Sequence, residues 1–507
     1  MVKGWPAGLG PALFFLLGGL VVQTLWILHL SGGHFSYTLD DAYIHLALAE
    51  NLAGGHYGVN HGEHSAAASS IVWPFLLLPL LGLPGAGGPL LLNGLAALGA
   101  LLVWARLLHL GFADARLRGL ALLLLVPATN LLGLVFTGME HTLQVLLASL
   151  ALWGLARRGA EGRAPLWLVP VLVAGPLVRY ENLALSLPAL GLLLARDKDR
   201  AAGLAGLAAL GALLGGFSLY LRYGLGLDWL PTSVLAKSSL DVSPWAAVAE
   251  NLRFNLRQRP GLALTGLLFV FAAAALSPQR RADDRGLALW GAAAVGLHLI
   301  FGRFGLYYRY EIYVWSAALL LLLYLGRGWL ARLPLKNAAA GLALFCILFA
   351  RDYARPLFST PPAAAGIYAQ QHQMHRFVAH YAPGPAAVND LGRVAFQNPH
   401  YVLDLWGLSA PKALEARRAG GDAAWMDALA KAHGVELAML YPQWFAALPP
   451  AWQKMGVLRL QRPAVTAAHA EVVFYSLDPQ ATPRLRQALR AFARDLPADA
   501  RFDFIAP

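Results

Sequence analysis

The sequence predicts an α-helical polytopic membrane protein with a small extracytoplasmic α/β domain at its C-terminal end. Three observations predict it. The 507-residue chain is 58% hydrophobic and 13% charged, where soluble domains carry about a quarter charged residues, and its mean hydropathy is +0.52. Apolar runs of spanning length recur from residue 10 to residue 350. Beyond residue 350 the runs shorten, and Pro, His and charged residues rise. This composition excludes a soluble enzyme, a disordered chain and a disulfide scaffold. The one cysteine, Cys346, lies in an apolar run, so no Cys-ligated metal centre is available. The net charge of +12 belongs to basic loops that set topology, not to nucleic-acid binding.

The elements follow in order. Pro11 to Leu30 stands behind a single Lys3, and His29–His34 offers no small-residue cleavage site; a retained first transmembrane helix is expected. Spanning runs fall at about 10–30, 88–108, 117–136, 139–156, 165–178, 182–195, 201–222, 261–277, 286–302, 310–326 and 336–350. A twelfth run, 66–83, would invert everything after it. Short basic loops decide the matter: Arg106/Arg116/Arg118, Arg157/Arg158/Arg163, Arg196/Lys198/Arg200, Arg280/Arg281/Arg285 and Arg327/Arg332/Lys336. They share the cytoplasmic side with Lys3 only if eleven helices span and 66–83 is re-entrant or lies on the surface. The N-terminus is then inside and the C-terminus outside. Residues 1–350 form the membrane module. In 351–507, strand-like pieces (Ala386–Asn389, Tyr401–Asp404, Leu437–Leu440, Glu471–Tyr475) alternate with helical patterns at 366–380, 423–432 and 482–495.

The spans hold almost no ionisable residues, His298 excepted, which argues against ion-coupled transport. Polar residues gather on the outer side. The first outer loop, 31–65, contains Asp40, Asp41, Glu50 and Glu63, His34, His45, His56, His61 and His64, and no Lys or Arg. Later outer loops bring Arg179-Tyr180-Glu181, Lys237 and Arg303 through Glu311. Carboxylates thus come from one loop and cations from others, as a site for an anionic donor and a hydroxyl acceptor requires. Asp40 and Asp41 open a helix over about 41–53. One reading is structural: Thr38 caps it and Asp41 completes a capping box, in the favourable field of the helix N-terminus. The other is chemical: neighbours on a helix point about 100° apart, so one carboxylate caps while the other faces a cleft, and His45, four residues on, shares a face with Asp41. The spacing also permits a divalent metal, but no cofactor is assigned.

These residues resemble a family. An acidic pair just after the first transmembrane helix is the hallmark of the GT-C glycosyltransferases, which take a sugar from a polyprenyl-phosphate donor. The sequence is more closely similar to the branch with mycobacterial arabinofuranosyltransferases and pilin glycosyltransferases. Gly54–Glu63 followed by Ser69–Pro74, Thr137-Gly-Met-Glu140, Leu230–Lys237, Tyr308-Arg-Tyr-Glu311, Asn389–Arg393 and Asp404–Leu408 look like its motifs, in order. Before Lys237 the branch's Asn and Tyr are missing.

The resemblance implies a GT-C fold and an inverting transfer in a bacterial inner membrane, with the C-terminal domain periplasmic. One of Asp40 or Asp41 deprotonates an acceptor hydroxyl, and Lys237, Arg309 and Arg179 hold the departing phosphate. The bland alternative for each cation is snorkelling at a helix end. His45, Glu140, Tyr308 and Glu311 support the site; Glu140 also suits a helix N-terminus, and Glu311 suits a pair with Arg309. Trp73 and Trp229 read as interface anchors, and His56, His61 and His64 as polar loop residues. Asp390, Arg393 and Asp404 are the polar positions of the C-terminal domain. The implied partners are the bilayer, the lipid-linked sugar, and a protein, glycan or lipid acceptor. Competing functions are a lipid-linked sugar flippase and a non-catalytic assembly factor. The first needs polar residues in mid-membrane, and the second has no need for acidic and basic outer loops that converge.

Overall fold

The computed structural model describes residues 8–237, 244–420 and 422–506. The chain divides into two compact units. One comprises Met1–Val22, Leu90–Gly216 and Ser239–Leu357, and the other Gln23–Pro89, Phe217–Ser238 and Phe358–Pro507.

The first unit is helical. Among the described residues of the whole chain, six helical runs are long and apolar enough to cross a membrane: Leu9–Leu30, Pro84–Gly111, Asp197–Gly224, Arg259–Leu276, Ile312–Leu330 and Leu335–Tyr381. The other expected spans are shorter or more polar. The 117–136 run is two helices, Ala115–Ala128 and Leu131–Val135, separated at Asn130 by a left-handed backbone (φ +51°). The runs at 165–178 and 182–195 give helices of 11 and 12 residues, about 17–18 Å at the α-helical rise. His141–Glu161 has full length but buries His141, Thr142, Gln144 and Ser149. Indole N–H groups are satisfied inside the unit: Trp104 donates to Ser149 Oγ, Trp290 to the Leu185 carbonyl and Trp315 to the Ala128 carbonyl, at 2.7–2.9 Å.

The second unit contains the 66–83 segment. Its helical part is Trp73–Leu77 and the turn Leu78–Leu80. Eight residues rise about 12 Å, well short of a bilayer core of ~30 Å. Trp73 is fully buried rather than an interface anchor, whereas Trp229 is exposed. The sheet of this unit has six strands: β1 (Ala386–Val388), β2 (Val402–Asp404), β3 (Leu437–Leu440), β4 (Gln453–Leu460), β5 (Glu471–Ser476) and β6 (Ala500–Phe504), in the order β2-β1-β3-β5-β4-β6. The strands β2, β1 and β3 are parallel, and the other pairings are antiparallel. After β1 the chain goes to one side to form β2, then crosses to the other side to form β3. The helix Thr482–Arg494 buries Leu485, Leu489 and Phe492 at helical spacing, leaves Arg484, Arg490 and Arg494 exposed, and holds Arg486 against the Ile505 carbonyl. Strands β4 and β6 are elements the sequence pattern did not reveal.

Candidate functional site

The acidic pair is built in the second unit. Asp40 is the N-cap of the helix Asp41–Ala53, but its side chain caps nothing there. Thr38 lies two residues too early to cap that helix. Instead the Asp40 carboxylate accepts the N–H groups of Gly392 (2.6 Å) and Arg393 (2.7 Å), the first residues of a short helix, Gly392–Ala395. The approach requires glycine at 392, because a Cβ there would collide with the Asp40 carbonyl oxygen. Asp40 is 6% exposed, while Asp41 is partly exposed at the first helical position. A third carboxylate joins them. Asp390, after β1, accepts from Gln371 Nε2 (2.7 Å) and faces the Tyr441 hydroxyl (3.4 Å). It also hydrogen-bonds Asp40. Burial and the Asp390 charge push the Asp40 carboxyl well above the usual range. Burial and the Asp41 charge raise Asp390. Carboxyls crowded out of water raise one another in this way, because like charges disfavour each other's ionised form.

The loop around the pair is tied to the sheet. The Asn60 amide both donates to the Val402 carbonyl (2.9 Å) and accepts the Val402 N–H (2.8 Å), closing the β2 edge as a strand would. Tyr401 donates to Glu63 (2.6 Å) and stacks on His433 at 4.2 Å. The N–H of Gln397 donates to Glu50. His45 is buried with Nε2 3.3 Å from the Ser69 hydroxyl. His56 and His64 stack at 4.6 Å and bond loop carbonyls, so both hold the loop's shape. Arg393 donates from Nε to Nδ1 of His372 (3.2 Å), so that nitrogen is an acceptor and the imidazole is neutral. Burial, then Arg393, press His372 and His375 down to about 3. Asp404, which sequence reading left open, folds its own loop by accepting the N–H groups of Trp406 and Ser409 (2.9 and 2.8 Å); burial raises it to about 6. Lys237 ends the helix Thr232–Lys237, and its side chain lies outside the described residues. Thr232 of that helix donates to the Leu408 carbonyl.

The other expected cations lie in the first unit. Arg179 is 4% exposed and clamped by two carboxylates, Glu140 at 2.7 Å and both oxygens of Glu181 at 2.6 and 3.1 Å. Glu140 is the N-cap of the His141–Glu161 helix, as its position suggested. The guanidinium groups of Arg179 and Arg309 flank the Tyr310 ring at 5.6 and 5.1 Å. Glu311 accepts from the Tyr353 hydroxyl and the Gly305 N–H, both at 3.1 Å, rather than pairing with Arg309. Tyr308 accepts from Arg355 and tilts against the Tyr353 ring. Gly305, Leu306, Tyr307 and Tyr308 all have positive φ, a left-handed turn closed by the Arg309 N–H on the Gly305 carbonyl. Such a turn costs roughly 1–2 kcal/mol per non-glycine residue, placed directly before Arg309.

Sequence reasoning missed two features. Asp390 was only one of several polar positions in its domain. The second feature is a groove of about 620 Å³ in the first unit. One stripe of the Arg259–Leu276 helix (Leu262, Gly266, Val270), with Leu322, Phe345 and Leu348, lines it, and Arg259, Arg351 and Asp352 line its polar part. The available signal was topological: outer loops are poor in cations, so Arg259 and Arg351 at expected outer helix ends lack a topological reason. Among the described residues, no three His, Cys, Asp or Glu are placed to hold a metal ion.

A family model described as a domain of unknown function (DUF8728) matches residues 365–475. No curated protein matches the chain. Among solved structures the chain is similar to arabinofuranosyltransferase AftD from Mycobacteria, with 15% identity and a TM-score of 0.42, over 91% of this chain and 41% of that one. It thus spans less than half of that protein's length. It is also similar to ArnT from Cupriavidus metallidurans bound to undecaprenyl phosphate (14%, 0.46, over 93% and 98% of the two chains). A third similar structure is the Archaeoglobus fulgidus oligosaccharyltransferase in complex with Zn and sulfate (10%, 0.45, over 96% and 75%). The first and third are glycosyltransferases by name. At these identities and scores, likeness carries no argument about function.

Proposed function

We propose that the protein is an inverting glycosyltransferase of the bacterial inner membrane. It moves a sugar from a polyprenyl-phosphate donor to a hydroxyl acceptor on the outer face, where its C-terminal domain lies. The observation that carries this reading is the crowd of three carboxylates in which Asp40 is spent on Gly392 and Arg393 while Asp41 stays partly exposed.

Asp41 is the base. It takes the proton of the acceptor hydroxyl as that oxygen attacks the anomeric carbon. The bond from that carbon to the phosphate oxygen breaks, and its electron pair leaves with the polyprenyl phosphate. The leaving group is a stable anion, so it needs cations rather than a proton. Arg309 and Lys237 take that role, and Arg259 and Arg351 line the polar part of the groove. Two carboxylates already hold Arg179, so its part is to fix Tyr310 and, through Glu140, the start of its helix. The apolar groove takes the lipid tail. Tyr308, Glu311 and Tyr353 brace the turn that carries Arg309, and His45 braces the Asp41 helix.

The test is donor turnover by the purified protein in lipid nanodiscs. Released polyprenyl phosphate is quantified for wild type, Asp40→Asn and Asp41→Asn, with several donor sugars and an envelope extract as acceptor source. Release abolished in Asp41→Asn supports the reading. Transport of intact donor without cleavage means a flippase and overturns it.

A further inference from the structure

In parallel sheets, ligands bind beyond the carboxyl ends of the strands, at the point where the strand order reverses. Here that point lies between β1 and β3, since β2 and β3 flank β1 on opposite sides. The residues that follow the three parallel strands are Asp390 after β1, Trp406 after β2, and Tyr441 and Trp444 after β3. Asn389 ties two of these ends by accepting the Tyr441 N–H at 2.9 Å.

From the Asp390 carboxylate the rings run outward in short steps. The Tyr441 hydroxyl is 3.4 Å from Asp390. The Trp444 ring lies 5.4 Å from Tyr441, and the Trp406 ring 4.8 Å from Trp444. Both indoles are partly exposed and stand outside the domain's apolar core. The platform is held in advance. Asp404 fixes the Trp406 loop from below. Gly407 takes φ +88°, where a Cβ would press on the Leu414 backbone. The Arg417 guanidinium lies 3.8 Å over Trp406 and donates from Nε to its carbonyl at 3.2 Å. Two tilted indoles with a carboxylate at one end and a guanidinium at the other join apolar faces to hydrogen-bonding edges. A pyranose or furanose ring has that same mixture, with C–H faces and a hydroxyl rim. An acyl chain has no use for the carboxylate, and a peptide would need backbone partners, whereas the β2 edge is already closed by Asn60.

We infer that the crevice at the carboxyl ends of β1, β2 and β3 is a saccharide-binding platform for the acceptor, with Trp444 and Trp406 stacking on sugar rings and Asp390 and Arg417 bonding their hydroxyls. The acceptor is therefore a glycan. The inference rests on the glycosyltransferase reading for its purpose, but not for the binding itself.

The experiment uses the full chain in nanodiscs and two readouts. Binding of short pentose-built and hexose-built tetrasaccharides is measured by saturation-transfer NMR, without donor. Acceptor KM and donor KM are measured for the tetrasaccharides, a serine-containing peptide and a hydroxylated lipid. Trp444→Ala and Trp406→Ala should weaken saccharide binding and raise acceptor KM at least ten-fold, leaving donor KM unchanged. Trp444→Phe should recover most of the loss, which a folding defect would not allow. Equal binding by wild type and both alanine variants overturns the platform, as does turnover with peptide or lipid but no saccharide. Tryptophan-dependent saccharide binding without turnover from any donor supports the platform and overturns the enzyme reading.

Discussion

Replacing Asp40 by alanine separates the two members of the acidic pair. The Asp40 carboxylate is the acceptor for the Gly392 and Arg393 N–H groups, both buried. A buried donor left without its acceptor costs about 1–3 kcal/mol. Two such donors give about 2–6 kcal/mol, reduced because the buried like-charge contact with Asp390 disappears as well. A net loss of ~3 kcal/mol lowers the unfolding midpoint of a unit of this size by roughly 6–12 °C. Asp41→Asn leaves the Asp40 clasp in place, so its midpoint should fall less than that of Asp40→Ala while donor turnover falls 10²-fold or more, the usual contribution of a positioned base. Gly392→Ala probes the same clasp from the other side, and should destabilise like Asp40→Ala with both carboxylates intact. The assay is thermal unfolding in detergent, read by a maleimide dye at Cys346 and by proteolysis of the C-terminal region, alongside turnover. An Asp40→Ala protein as stable as wild type, or an Asp41→Asn protein that still turns over, refutes the division of labour.

Other outcomes follow from the same geometry. Gly266 faces open space in the groove, so Gly266→Phe should raise donor KM at least ten-fold without lowering stability; unchanged KM counts against the groove as the tail site. Arg259→Ala with Arg351→Ala should raise donor KM and spare acceptor binding in the same kinetic assay. Arg179→Ala strands Glu140 and Glu181 and should cost about 3–5 kcal/mol; Arg179→Lys should rescue little, because the clamp is bidentate, and chemical denaturation of the two variants checks this. Folded His372 and His375 refuse the proton that the unfolded chain accepts near pH 6.5, so their stability is complete above pH 6.5 and falls as pH drops towards 3. Between pH 7.5 and 5.5 this amounts to about 1 kcal/mol each, read as the difference in unfolding midpoint between wild type and His372→Gln/His375→Gln. Asp404, raised to about 6, drifts the opposite way in both proteins and cancels; a pH-independent difference sinks the assignment.

The legible parts of the sequence were those written in periodicity and charge. Hydropathy located Leu9–Leu30 and Arg259–Leu276 within two residues and Ile312–Leu330 within four, and loop charge set 66–83 apart from the other runs, where the structure has only a short helix and turn. The strands β1, β2, β3 and β5 stood out as short apolar runs. Strand β4 did not, because Gln453, Lys454 and Gly456 break its alternation at a bulge. Strand β6 shares that fate, with Arg501 and Asp503 on its polar face. The pair Asp40-Asp41 was visible, but the partners that give its members separate roles, Gly392, Arg393 and Asp390, sit about 350 residues away. No local pattern encodes such a contact. The turn at Gly305–Tyr308 was hidden for another reason: a left-handed backbone in Leu or Tyr has no sequence signal.

The clasp between Asp40 and Gly392 spans 352 residues, and that between Asn60 and Val402 spans 342. The ribosome adds about 5–20 residues per second, so the first outer loop waits roughly 20–70 s for the strands that give it shape. During that interval the loop has neither its Asn60–Val402 pairing nor its third carboxylate. A half-made chain therefore has the helix that carries Asp41 but not the contacts that hold the acidic pair. A chain that stops before Gly392 lacks both clasps, and one that stops before Val402 still lacks the second.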